Sequence, residues 1–173
     1  MAYIYATQNM NDKMAKAVHL SAHVSTKVAS EIGRRITGKT PKDAIKMLQD
    51  VLDMRAPMPY SRFNWNVAHR VGHVGPGRYP QIVSQTIIDL INAVVANAVH
   101  QSLDENKLVI ASFVPQKGAK TYKYSRMRGL KTKNTHLEIV VEEQEPKAKR
   151  TTPRTFNTSK DSSKTSSKNN SSK

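Results

Sequence analysis

LVIASFVPQKGAKTYKYSRMRGLKTKNTHLEIVVEE, residues 108 to 143, decides the reading of the fold. LVIASFV from Leu108 to Val114 reads as a β-strand stopped by Pro115. THLEIVVEE from Thr135 to Glu143 reads as a second, with Leu137, Ile139 and Val141 turned inward. Because one connecting segment joins the two runs, they should pair antiparallel. That connection is too long for an ordinary hairpin loop of about two to five residues. Extended arms of about eight residues each, at about 3.3 Å per residue, would carry its tip about 25 Å from the strands.

The connection is a cationic finger. Residues 117 to 133 hold Lys117, Lys120, Lys123, Arg126, Arg128, Lys131 and Lys133 and no acid. Such charges repel one another until a polyanion neutralises them, and nucleic acid is the commonest such partner. Tyr122 and Tyr124 offer faces for bases, Arg126 and Arg128 offer forked donors for phosphate, and the lysines add field more than geometry. Gly118 and Gly129 permit tight bends or close approach to a ligand. A merely solvated loop has little use for these glycines and tyrosines. No RNP-type aromatic strand and no GXXG clamp occurs, which points to recognition of RNA shape.

Working outward, Val83, Ile87, Leu90, Ile91, Val94 and Ala98 recur at helical spacing from Pro80 to His100 and mark the spine of the core. Thr40-Pro41-Lys42-Asp43 starts another helix, with Ala44, Met47, Leu48, Val51 and Leu52 on its core face and an end near Arg55. AVHLSAHV, residues 17 to 24, alternates as a half-buried strand with Val18, Leu20, Ala22 and Val24 inward. Ser25 then caps a short helix bearing Val28, Ile32 and Ile36, which stops at Gly38. Residues 56 to 80 hold four prolines and three glycines, with Arg62, Arg70, Arg78, Phe63, Trp65 and Tyr79, and read as irregular and basic, outside the core. Gly75 to Pro80 forms a rigid turn whose Arg78 and Tyr79 are expected to touch RNA.

The 173 residues, 38% hydrophobic, suffice for one core. Residues 147 to 173 hold eight Lys or Arg against one Asp, or +7 of the net +15, leaving +8 for residues 1 to 146. Both parts are basic, so the tail alone does not explain the balance. Rich in Lys, Ser, Thr and Asn, the tail is expected to be disordered. The absence of cysteine excludes disulfides and thiolate metal sites. No basic leader with an apolar run and no stretch near the roughly 18 apolar residues of a membrane span is seen, so a soluble intracellular protein is expected.

Catalytic chemistry finds little support. His69 and His73 stand four apart, but Gly72 lies between them and no acid or third histidine is near. GPGRYP, residues 75 to 80, fails as a phosphate loop, since Pro76 and Pro80 remove two backbone donors and the GK[ST] ending is missing. Neither a metal nor any cofactor is expected. A small hydrolase using His69 or His73 remains only as a formal competitor.

Across roughly residues 12 to 143, the order strand, helix, helix, long helix, strand, basic finger, strand resembles the universal large-subunit ribosomal protein family numbered twenty-two, whose eukaryotic counterpart is numbered seventeen. The matching stretches are DKMAKAVHLSAHVSTKVASEI, IGRRITGKTPKDAIKML, VAHRVGHVGPGRYP, INAVVANAVHQSLDENKLVI and THLEIVVEE. Residues 57 to 80 look like the insertion of archaeal and eukaryotic members. The resemblance implies a non-enzymatic protein of the cytoplasmic ribosome that binds large-subunit rRNA early in assembly. It further implies neighbouring ribosomal proteins as partners and a hairpin, here residues 115 to 135, beside the exit tunnel and the nascent polypeptide. Arg126, Arg128 and Gly129 stand where the family has its Arg-rich, Gly-containing tip, although lysines, Met127 and Leu130 occupy part of it here.

The expected architecture is therefore α+β: a small antiparallel three-stranded sheet packed with three helices, a long basic β-hairpin extension within residues 1 to 146, and the tail. The expected RNA contacts are Lys117, Lys120, Tyr122, Lys123, Tyr124, Arg126, Arg128, Gly129, Lys131 and Lys133 on the finger, with Arg62, Arg70, Arg78 and Tyr79 before the long helix. A free regulatory nucleic-acid binder is the competing reading. It would elute from ribosomes in a high-salt wash, whereas a ribosomal constituent would stay.

Overall fold

The computed structural model describes residues 3–7 and 11–144, and the expected basic tail lies outside them. In chain order the elements are β1 (Met14–Ala22), α1 (Thr26–Ile36), α2 (Pro41–Leu52), β2 (Met58–Pro59), β3 (His69–Arg70), β4 (Gly75–Arg78), α3 (Gln81–His100), β5 (Leu108–Lys117) and β6 (Thr135–Glu143). The architecture is α+β. β6 is the central strand of an antiparallel sheet ordered β1-β6-β5, and a second small sheet, ordered β2-β4-β3, replaces the irregular stretch expected before α3.

α3 is the spine. Val83, Ile87, Leu90, Ile91, Val94 and Ala98 are all buried, as their spacing predicts, and the helix packs on β1, α2 and β6. By length and composition alone, α3 is long and apolar enough to cross a membrane. This corrects the expectation that no stretch comes near that length, but its apolar side is spent on the core. Asn97 Nδ2 donates to the Lys16 carbonyl at 2.9 Å and fixes α3 on β1. α2 starts as expected, with Thr40 Oγ1 accepting the Asp43 N–H at 3.2 Å. Ser25, by contrast, precedes α1 without a side-chain cap bond.

β1 departs from its expected phase. Ala15 and Ala17 face the core, Val18 is half-buried and Leu20 is exposed, yet Ala22 and Val24 are buried. The cause is an irregularity in the pairing with β6 between His19 and Ala22, where Ser21 adopts φ +59°. An extra residue at a bulge switches the inward phase from odd to even positions. Nor does Pro115 stop β5, since it stands opposite Leu137 in the ladder. β5 is an edge strand, so proline can be placed with no ladder donor missing on the paired side. Part of the open edge is covered by the link between α1 and α2: Gly38 N–H donates to the Ile110 carbonyl at 2.8 Å, and Ile110 N–H to the Lys39 carbonyl at 2.9 Å. Gly38 reaches this position at φ +82°, a region that costs glycine least.

The outer face of the sheet is covered at its centre. Glu138 is buried on β6 and accepts from the Tyr3 hydroxyl, from Gln116 Nε2 and, at 2.9 Å, from the Ala6 N–H. Partial burial, reinforced by the bond to Glu138, pushes the Tyr3 phenol up to about 12. Tyr5 stands edge-on to Tyr3 with ring centroids 5.3 Å apart and lies under the Lys16 ammonium at 4.8 Å. Together with Gln116, residues 3–7 thereby satisfy an acid buried on the central strand.

On the inner face, α1 lies against Phe113 of β5 at a position where only glycine fits. A Cβ on Gly33 would stand 2.4 Å from the Phe113 ring. Gly33→Ala is therefore expected to lower unfolding stability by about 1 kcal/mol or more in denaturant titrations, as overpacking outweighs the helix propensity that alanine adds. A gain in stability would show that the ring moves aside freely.

Candidate nucleic-acid interface

Beyond Lys117 the regular ladder ends, and the finger is held by scattered bonds. Its root is built into the sheet. Thr135 Oγ1 is buried and donates to the Val24 carbonyl at 2.9 Å, while His136 Nδ1 accepts the Ser21 N–H at 3.1 Å. The bulge that reverses the phase of β1 thus also grips the base of the finger. Gly118 N–H donates to the Asn134 carbonyl at 3.0 Å, and a Cβ there would come within 2.9 Å of His136 Nε2. Gly118 serves close packing at the root.

Further out, Thr132 N–H donates to the Thr121 carbonyl at 2.8 Å and Lys123 N–H to the Leu130 carbonyl at 2.9 Å. An isolated bridge pairs Tyr122 with Lys131. The tip is a short 3-10 turn, Ser125–Met127, opened by Ser125 at φ +58°. The arms are accordingly paired but are not continuous strands. An added Cβ at Gly129 meets nothing within 4 Å, so the protein's own packing does not demand glycine there.

All seven finger cations are exposed, and no ion pair joins any of them among the described residues. Lys131 Nζ lies 4.6 Å above the Tyr122 ring, and Tyr124 is 91% exposed. This is a surface whose charges are left for something outside the chain. Exposed Met127 and Leu130 interrupt it at the tip.

The stretch before α3 is more ordered than expected. β4 pairs Met58 with Arg78 on one side and Arg70 with Gly75 on the other. Met58 and Tyr60 are buried in the main core, which corrects the reading of residues 56 to 80 as lying outside it. Gly75 to Arg78 is a strand and not the expected turn, its Pro76 being placed in a short, narrow sheet. Arg70 donates from Nε to the Gly77 carbonyl at 3.1 Å and lies 5.3 Å from the half-buried Tyr79 ring. Arg78 donates from Nη2 to the Asn66 carbonyl at 3.2 Å. These three residues brace the small sheet, while Arg70 and Arg78 are exposed as residues, as is Arg62. His69 and His73 form no metal-holding cluster with a third ligand among the described residues.

The group that pins this stretch is an acid on a helix that the sequence does not single out. Glu31 of α1 is 1% exposed and accepts from the Ser61 N–H and Oγ, each at 2.9 Å, and from the Arg62 N–H at 3.1 Å. Its only sequence signal is isolation, since no other acid occurs between Asp12 and Asp43. Burial raises the neighbouring Tyr60 phenol above its ordinary value, with Arg78 opposing and Glu31 assisting. Lys27, one turn before Glu31, places its ammonium 5.2 Å from the Phe63 ring.

A family model described as ribosomal protein L22p/L17e matches residues 17–142. Among curated relatives, the large ribosomal subunit protein uL22 of Nanoarchaeum equitans is 34% identical over 139 residues, 76% of this chain and 80% of the relative. The uL22 of Ignicoccus hospitalis is 36% identical over 144 residues, 78% and 91% of the two chains. That of Methanocaldococcus jannaschii is 33% identical over 146 residues, 80% and 94%.

Glu31→Ala should free the loop at residues 61 and 62. With two backbone donors and a hydroxyl left unpaired, a drop of about 2 kcal/mol is expected in chemical denaturation. Amide exchange at Ser61 and Arg62 should rise ahead of exchange in α3. Unchanged protection there would remove Glu31 as the pin.

Proposed function

The chain belongs to the ribosomal protein L22p/L17e family, and from that premise we propose that its finger and its insertion bind large-subunit rRNA. A structural, non-enzymatic constituent of the large ribosomal subunit, it works with the ribosome in the cytoplasm. The relatives whose names place them in that subunit favour this role over a free regulatory binder.

One observation carries the rRNA reading: seven exposed cations on a braced finger with no ion pair among the described residues. Free in solution they would raise the energy of the fold. Seated between RNA segments they release the counterions condensed on phosphate, and the ordering of the finger makes each cation a fixed point of neutralisation. Geometry contributes beyond net charge. Arg126 and Arg128 stand at the tip, where forked donors hold two phosphates in a set relation. Exposed Met127 and Leu130 give the same tip an apolar patch, which suits a lining of the exit tunnel that meets nascent polypeptide of every composition. Scaffolding of rRNA during assembly follows from one body carrying both projections.

Reversing the tip charges tests this. Arg126→Glu with Arg128→Glu is expected to lower affinity for large-subunit rRNA by at least about tenfold and to reduce incorporation into subunits. Because both side chains are exposed, circular dichroism and thermal unfolding should stay unchanged. Wild-type incorporation and affinity in the double variant would overturn the role of the tip.

A further inference from the structure

Trp65 is 95% exposed, on a loop fastened at both ends. Glu31 grips the loop at Ser61 and Arg62. Arg78 grips it at the Asn66 carbonyl, 3.2 Å away, and Val67 N–H closes a turn on the Asn64 carbonyl at 3.0 Å. Between these grips Phe63 is held at φ +54°, a region costly for a bulky side chain. Strain of this kind persists only where the surroundings impose it. A rigid loop with a large aromatic ring left in water is a presented surface.

The charge around the ring selects the partner. Residues 54 to 88 contain four arginines and two histidines and no Asp or Glu; Arg55 is paired with Asp53 at 3.5 Å, while no ion pair joins Arg62, Arg70 or Arg78 among the described residues. A neighbouring protein surface would ordinarily be met by charges of both signs, whereas a stretch with three arginines outside any ion pair and an exposed indole matches phosphates around an unpaired base. We infer that Trp65 is a stacking platform for an unpaired rRNA base, with Arg62 on the adjacent phosphate. This rests on the rRNA-binding reading above and assigns a second, base-contacting site to the insertion, apart from the finger.

Trp65 is the single tryptophan of the chain, so its fluorescence reports on the site alone. The full chain is titrated with an RNA stem-loop carrying an unpaired purine loop, and separately with the same strand closed into a duplex by its complement. Stacking predicts quenching by the stem-loop and none by the duplex, though both bind. Trp65→Ala should weaken stem-loop binding about ten- to hundredfold and leave duplex binding unchanged, while Trp65→Phe keeps most of the stem-loop affinity. Binding of both RNAs with emission unchanged, or equal stem-loop affinity in Trp65→Ala, overturns the inference and leaves the finger's role standing. Emission that shifts only with RNA-free large-subunit proteins assigns the surface to a protein neighbour and overturns it too. Failure of both RNAs to bind overturns the rRNA reading itself, and this inference with it.

Discussion

Like-charge repulsion along residues 117 to 133 is the constraint around which the rest of the molecule is arranged. Each pair of unit charges about 8 Å apart in water costs about 0.5 kcal/mol before salt screens it, and seven cations on one finger make many such pairs. No acid within the finger offsets this. The ordering has to come from its root. β5 and β6 supply it with a ladder that runs out to Lys117 and Thr135, a few bonds across the arms extend the hold, and Thr135 and His136 bind that root to the chain around β1. The core under the sheet is in that sense a mount, with α3 as its spine.

The insertion follows the same logic with different means. Its strands are only two to four residues long, too short to be stable on their own. Met58 and Tyr60 lend it apolar burial in the main core, and Glu31 supplies the polar fastening. A buried carboxylate is tolerated when backbone donors surround it. Arg70 and Arg78 then serve twice, tying the small sheet while remaining exposed residues.

Much of this is legible in the residues. The core positions of α3, the cap and face of α2 and both ends of β6 follow from periodicity and local chemistry, which depend on near neighbours alone. The phase of β1 does not, because a bulge at Ser21 leaves no mark in the apolar pattern. The second sheet is hidden as well, since strands carrying Pro59, Pro76 and two glycines have no β signature and exist only by pairing at a distance. The burial of Glu31 and Glu138 is not legible either, since their partners arrive from residues 61–62 and from residues 3–7, far off in the chain. The finger cations are legible as a group, while the bracing duties of Arg70, Arg78 and Tyr79 are not.

The central claim is that the finger's charge is neutralised by RNA phosphate. The salt dependence of binding to a large-subunit rRNA fragment reads this most directly, as the slope of log affinity against log salt concentration. Changing all seven finger cations to glutamine should flatten the slope by about 5, at about 0.7 or more for each phosphate no longer neutralised, with the core still folded. An unchanged slope would contradict the account.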